Sequence, residues 1–468
     1  MRRPLASLAA TALITPALLA LGAAPAHAAL PGCGGLTATI VGTPGDDTIV
    51  GTPGDDVIRG FAGDDVIHGR GGHDVICGNF GHDDLTGGPG ADRVFGDRAS
   101  DHLNGGVGDD RLDEGNSHLT GLVEGAAGDD LMTAEGSAEI DGGEGNDTVT
   151  VTNAFVTVDG GPGDDHIDAA GSFDTLELDY RRTPNAIDAD LAAGTVDGWG
   201  HDTVPTSGQV AYFLLGTAFD DAVTGTSAGD TLFTGEGDDT IQSGDGNDNI
   251  DPGPGDDVVD AGPGDDVVTA SQEDATAHNV VHGGDGHDIL DATQAGDKVY
   301  GDAGDDFFRF TRIRLGTGQV LDGGAGRNLI LFSLTPPLGG GRWRTVGLDM
   351  GAGTVDGTST TGSEASAMVA GFNRVILADV DLTRPARRWT VIGTDGRDDI
   401  RIDDGGKAGR MVVHGLGDDD RISTGGADDT IDGGDGADSA NASGGTDTCI
   451  SIESGIAGRP TSCEVNTP

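Results

Sequence analysis

From Gly42 to Asp113 the chain divides without a gap into eight blocks of nine residues. A fixed period of this kind constrains the fold more than any single motif can. The sixth positions are Asp47, Asp56, Asp65, Asp74, Asp83, Asp92, Asp101 and Asp110. The eighth positions are Ile49, Ile58, Ile67, Ile76, Leu85, Val94, Leu103 and Leu112, all aliphatic. The fourth is glycine, as in Gly45, Gly54 and Gly63, except at Ala99. Each block reads as a six-residue turn followed by a three-residue strand, because glycines at positions one, two and four permit positive φ and close backbone approach.

One such unit cannot bury its aliphatic residue alone, but stacked units can. The expected fold is all-β: a right-handed parallel β-roll, or β-helix, solenoid with two units per coil and two inward ladders of Ile, Val and Leu. At roughly 4.8 Å per coil the eight-unit run would stand only about 19 Å tall. A core that thin needs another source of stability.

The frame returns further along. Single units are centred on Asp130, Asp147 and Asp165, and a second gapless run from Gly216 to Thr269 carries Asp221, Asp230, Asp239, Asp248, Asp257 and Asp266 at position six. Asp288, Asp297 and Asp306 follow, then a unit at Asp398 and a last run with Asp420, Asp429, Asp438 and Asp447. Stacking sets these carboxylates above one another at about 5 Å, where they repel by about 0.8 kcal/mol per pair in water and several times more when shielded. A hard dication between coils reverses the sign. The expected ligand is calcium, several ions per chain, held by the position-six carboxylates and by carbonyls freed at the glycine turns. Neighbouring acids such as Asp46, Asp55 and Asp64 are expected to give at most a backbone oxygen.

The units resemble the nonapeptide G-G-x-G-x-D-x-U-x of hemolysin-type, or RTX, calcium-binding repeats. GGPGDDHID at Gly160 to Asp168 and GGDGHDILD at Gly283 to Asp291 match it at every defined position. The resemblance implies a parallel β-roll that is disordered without calcium and folds when calcium binds.

Charge points the same way. With 80 acidic residues against 26 basic, the formal charge of -54 argues against nucleic acid and acidic membranes as partners, since both need basic surface. Aromatic residues make up only 4% of the chain and glycines number 85, a composition that would suggest disorder if the period did not override it.

Residues 1–28 read as a secretory signal peptide, with Arg2 and Arg3, an apolar run and Ala26-His27-Ala28 as the cleavage site. The arginine pair leaves Sec and twin-arginine export both open. No second apolar run of membrane length follows, so the expectation is a secreted, extracellular protein without a membrane span. Cys33, Cys77, Cys449 and Cys463 fit an oxidising compartment, and proximity pairs Cys33 with Cys77 and Cys449 with Cys463.

The expected organisation is an N-terminal repeat block at 29–113, looser repeats at 114–173, a cassette without glycine turns at 174–215, a central block at 216–309, a second cassette at 310–392 and a disulfide-closed block at 393–468. Both cassettes carry A-G-T-V-D-G, starting at Ala193 and Ala352. They are read as wider coils of one solenoid, with two small separate domains as the alternative.

No catalytic residue is assigned. Gly225 to Gly229 spells G-x-S-x-G, but within the nine-residue frame and without the strand-turn-helix of a hydrolase elbow. His73, His82 and His287 at position five and His68 at position nine read as solvated turn residues. Arg384 to Arg388, near Arg342 and Arg344, reads as a loop neutralising the acidic roll, with polyanion docking as the alternative. The functional expectation is a calcium-binding protein with a structural or interaction role outside the cell, its protein or glycan partner unspecified. The alternative is an adhesin or polysaccharide-acting enzyme whose active surface lies in the 174–215 or 310–392 cassettes.

Overall fold

The computed structural model describes residues 33–115, 120–152, 156–169, 175–206, 210–270, 277–292, 296–313, 319–334, 343–359, 364–378, 388–403, 410–442, 445–452, 454–455 and 463–465. The proposed signal peptide and Arg384 lie outside them. All regular structure among the described residues is β-strand, arranged as a solenoid of two parallel sheets that consecutive repeats enter alternately.

Register follows directly from the period. Thr48–Val50 pairs in parallel with Val66–His68, Ile49 beside Ile67, while Val57–Ala62 pairs with Val75–Phe80, Ile58 beside Ile76. Residues eighteen apart are therefore neighbours, and one coil holds two nonapeptides. A three-residue strand alternates faces, so only its middle residue points inward, as at Thr240–Gln242 and Val258–Asp260. Ile58, Ile67, Ile76, Leu85, Val94, Leu103 and Leu112 are all fully buried in one continuous core. Each contributes about 1.5–3 kcal/mol on burial, a modest apolar gain for nine residues ordered.

The cassettes depart from plain coils. In the first, Thr175–Asp179 and Ala211–Leu215 continue one sheet in parallel. In the other sheet Asp188–Asp190, Thr195–Asp197 and His201–Thr203 form an antiparallel meander. Its third strand joins the preceding coil at His166, and its first strand joins the following coil, Ala222–Thr224. The second cassette repeats the arrangement with Trp343–Asp349, Thr354–Ser359 and Glu364–Ala370, of which the third pairs back to Val320–Asp322 and the first forward to Arg388–Ile392. The sheet stays continuous, but through hairpins rather than wider coils, because these segments lack the glycine turns that advance the chain to the next level. The repeated A-G-T-V-D-G leads into the middle strand in both.

Cys33 is bonded to Cys77 with a Cα separation of 5.7 Å. The bridge packs with Val75, Val57 and Phe95, apart from the main core. Cys449 sits inward at an eighth position and is disulfide-bonded too. The side chain of its expected partner, Cys463, is outside the described ones, although the backbone of Cys463 pairs with Asp447.

Candidate metal centre

The glycine turns set up the site. Gly90, at a fourth position, has φ +152°, and a Cβ there would stand 1.6 Å from the Gly72 carbonyl oxygen one coil below. Only glycine lets successive turns close up at that point. Position two is left-handed at several residues that are not glycine, with φ of 86° at Phe61, 80° at Asn79 and 74° at Asp97. Holding bulky residues there stores local strain.

With the turns stacked, the position-six aspartates form files along the axis. The backbone N–H of each donates to Oδ1 of the aspartate one coil on. In one file Asp56 donates to Asp74 at 2.8 Å, Asp74 to Asp92 at 2.7 Å, Asp92 to Asp110 at 2.7 Å, Asp110 to Asp130 at 2.7 Å, Asp130 to Asp147 at 2.8 Å and Asp147 to Asp165 at 2.8 Å. On the opposite face Asp47, Asp65, Asp83 and Asp101 are linked alike. The central block carries Asp221, Asp239 and Asp257 on one face and Asp230, Asp248, Asp266, Asp288 and Asp306 on the other. Asp297 accepts from Asn279, and Asp398, Asp420 and Asp438 form a C-terminal file beside Asp429 and Asp447. Every aspartate singled out by the period thus stands in a file.

Their second oxygens decide the chemistry. Oδ2 of Asp65, Asp74, Asp83, Asp92, Asp101, Asp110, Asp130, Asp147, Asp165, Asp257, Asp266, Asp288, Asp306 and Asp420 is buried with no hydrogen-bond partner. Buried carboxylates left half unsatisfied are strongly unfavourable unless a positive partner is supplied. The space beside them fits one. A Cβ on Gly60 would stand 2.2 Å from Asp65 Oδ2 and 3.0 Å from the Gly78 carbonyl oxygen, so the absent side chain leaves a cradle whose two nearest atoms are oxygens. Oxygen-only donors suit calcium rather than a transition metal. Among the described residues no group of three or more His, Cys, Asp or Glu side chains is placed to hold a metal. A cation in the files must therefore draw on backbone carbonyls as well.

Burial raises the carboxyl pKa of Asp83 and Asp92 to about 6, of Asp101, Asp110, Asp147, Asp257, Asp266, Asp306 and Asp420 to about 7, and of Asp165 to about 8. The N–H donated from the preceding coil offsets this only in part. Asp56 goes the other way, lowered chiefly by the backbone N–H of Thr52.

The acid next to each file residue has a separate task. Asp46 Oδ1 accepts the N–H of Asp64 at 3.0 Å, Asp55 that of His73 at 2.8 Å and Asp64 that of His82 at 2.9 Å. Position five therefore reaches to the following coil's N–H, while position six reaches to the preceding one. Two adjacent acids avoid each other by bonding in opposite directions. His73 and His82 are exposed on this outer ladder. Gly225 to Gly229 form a turn of the roll between Ala222–Thr224 and Thr231–Phe233.

Three file members escape the period. Asp202 Oδ1 accepts the N–H of Asp165 at 3.0 Å, and its Oδ2 accepts the Tyr180 hydroxyl at 3.1 Å. The signal was present in G-W-G-H-D-T-V at 198–204, where glycine, aspartate and the buried Val204 keep the frame. Asn328, in GGAGRNLIL, accepts from Asp306 at 2.8 Å and differs from a standard unit only by Asn for Asp. Asn279 accepts from Asp257 at 2.9 Å in a stretch without glycine, where the sequence offered no signal.

A family model, the RTX calcium-binding nonapeptide repeat (4 copies), matches residues 41–76, 78–112, 141–176, 215–250, 224–259, 244–274, 276–309 and 414–449, which together cover half of the chain. No curated protein matches it. Among solved structures, a hyperactive, Ca2+-dependent, β-helical antifreeze protein from an Antarctic bacterium is 14% identical over 86% of this chain and 83% of that one, with a TM-score of 0.16.

Proposed function

The chain belongs to the RTX calcium-binding nonapeptide repeat family, and from that premise we propose that it is an exported protein whose solenoid folds as calcium enters the aspartate files. It is a calcium-binding repeat protein; its role outside the cell is structural or interactive. The observation that carries the folding reading is the run of buried Oδ2 atoms without a partner. In each file Oδ1 is fixed by a backbone N–H, so the carboxylate is held in one orientation with Oδ2 turned to the glycine cradle. Bound calcium supplies the positive charge that this anion lacks. We assign the ligands to the position-six aspartates with carbonyls of the turns.

Export is supported by the signal-like residues 1–28 and by the Cys33–Cys77 disulfide, which suits an oxidising compartment. Extracellular calcium near millimolar matches modules of 10⁻⁴ to 10⁻³ M affinity. The blocks at 29–113, 216–309 and 393–468 would carry the ions, and the 174–215 and 310–392 cassettes would join them. The test is a calcium titration of the full chain followed by far-UV circular dichroism at neutral pH. β structure should be lost in chelator and regained toward millimolar calcium. A spectrum complete in excess chelator would end the folding proposal.

A further inference from the structure

Five of the described repeats differ from the others at one position. Among the described residues position two is threonine at Thr43, Thr52, Thr217, Thr226 and Thr394; Thr293, in the Asp297 unit, holds the same position but lies outside the described residues. None of the five takes the positive φ found at the same position in Phe61, Asn79, Asp97, Asp302 and Leu416. A β-branched residue is a poor occupant of the left-handed region, so threonine selects a different turn.

The different turn changes what the aspartate meets. With φ negative, the threonine N–H points at the carboxylate of its own unit. Thr43 donates to Asp47 Oδ2 at 2.5 Å, Thr52 to Asp56 at 2.6 Å, Thr217 to Asp221 at 2.7 Å, Thr226 to Asp230 at 2.7 Å and Thr394 to Asp398 at 2.6 Å. Hydroxyls add a second bond, from Thr43 to Asp47 at 3.0 Å, Thr217 to Asp221 at 2.8 Å and Thr226 to Asp230 at 3.0 Å. In these units the oxygen left bare elsewhere is already satisfied by the chain.

Their placement is not random. Thr43 and Thr52 lead the first run, one on each face; Thr217 and Thr226 lead the central run, one on each face; Thr394 leads the run after the second cassette. A cation lodged between coils draws oxygens from two of them. The first coil of a run has no equivalent coil before it, so its aspartate needs another partner. The same logic operates at two far ends. Tyr180 donates to Asp202 at the close of one file, and Asn328, which closes another, donates its own amide to the Gly323 carbonyl at 2.5 Å.

We propose that the five threonine units are calcium-free caps, one at the start of each of five files, in which a chain N–H stands where calcium stands in later coils. Ions then bind only from the second coil onward. Each cap still offers its own aspartate N–H to the next coil, as Asp56 does to Asp74 at 2.8 Å and Asp398 to Asp420 at 2.8 Å, so it sets the register of the first ion-binding unit. Asp47, Asp56, Asp221, Asp230 and Asp398 thereby leave the set of ligands. The short file of Asp429 and Asp447 has no threonine unit and is not covered by the rule.

The inference rests on reading the files as calcium sites, and the test separates the two. Ions bound to the full chain at saturating calcium are counted by native mass spectrometry for wild type, D56N and D74N. Asparagine suits the position sterically, since Asn279 and Asn328 occupy it. D74N should lose at least one ion and D56N none. If D56N loses as many as D74N, the caps are ordinary sites and the inference is overturned. If D74N loses none, the calcium reading of the files falls and takes the caps with it. Should D56N not assemble, D398N against D420N reads the same quantity in a separate run.

Discussion

Removing calcium should make this protein respond to acid in the opposite sense to most acidic proteins. Burial lifts Asp101, Asp110 and Asp147 from 3.8 to about 7. At about 1.4 kcal/mol per pKa unit, keeping one such group ionised without a cation costs roughly 4 kcal/mol, or roughly 2 after allowance for solvent screening. Repeated along a file, even the smaller figure overtakes the 5–15 kcal/mol that stabilises an ordinary domain. The sign follows from linkage: a folded-state pKa raised above its unfolded value gives stability that is complete below about pH 4 and is lost as pH rises through 6 to 7. Calcium competes with the same protons, so its hold strengthens over that window and weakens below it. The assay is far-UV circular dichroism of calcium-depleted protein between about pH 5 and pH 8, above the sequence pI of 4.1. β structure should be present at the acid end and gone at the alkaline end, where millimolar calcium restores it. D92N, D110N and D130N combined should shift the metal-free loss to higher pH. Equal β content at both ends, or loss toward acid, would refute the reasoning.

Gly90→Ala places a Cβ against the Gly72 carbonyl at 1.6 Å and should raise the calcium midpoint of folding at least tenfold. Gly71→Ala, whose Cβ meets nothing closer than the Pro89 oxygen at 3.5 Å, should leave that midpoint within about twofold. Leu103→Ala empties a fully buried core position and should cost about 2–5 kcal/mol in urea unfolding at saturating calcium. Val107→Ala, 62% exposed, should fall within about 0.5 kcal/mol of wild type.

The sequence exposed the files and the core because both depend on a single residue type at a fixed place in the period. Asp47 and Ile49 declare the frame, and eighteen-residue pairing follows once two units make a coil. The direction of bonding was hidden, because nothing in the letters Asp64-Asp65 says that one carboxylate reaches up the axis and the other down. The difference between Asp56 and Asp74 was written in Thr52 against Arg70, but it acts through φ and shows only when the turn is built. Asp202 was obscured where Asp197 replaces the first glycine, and Asn279 because its unit lacks the turn residues altogether. The meander was illegible for another reason. Alternation in Thr195–Asp197 identifies a strand, while the orientation of its partner depends on the length and shape of the turns on either side.

The two meanders also bear on how the rod yields to force. A plain coil pulled from its C-terminal end can peel from the sheet by itself, releasing eighteen residues, about 60 Å of extended chain, before the next is loaded. At Asp188–Asp190, Thr195–Asp197 and His201–Thr203 that sequence of small releases is interrupted. The strand gripping the coil above comes first in the chain, and the strand gripping the coil below comes last. Tension passed down the chain from above first reaches His201–Thr203, the strand held between the coil below and Thr195–Asp197, so that strand must shear from two neighbours at once. Trp343–Asp349 to Glu364–Ala370 places a second such knot further up. Along an otherwise evenly unravelling rod, the meanders would act as mechanical stops.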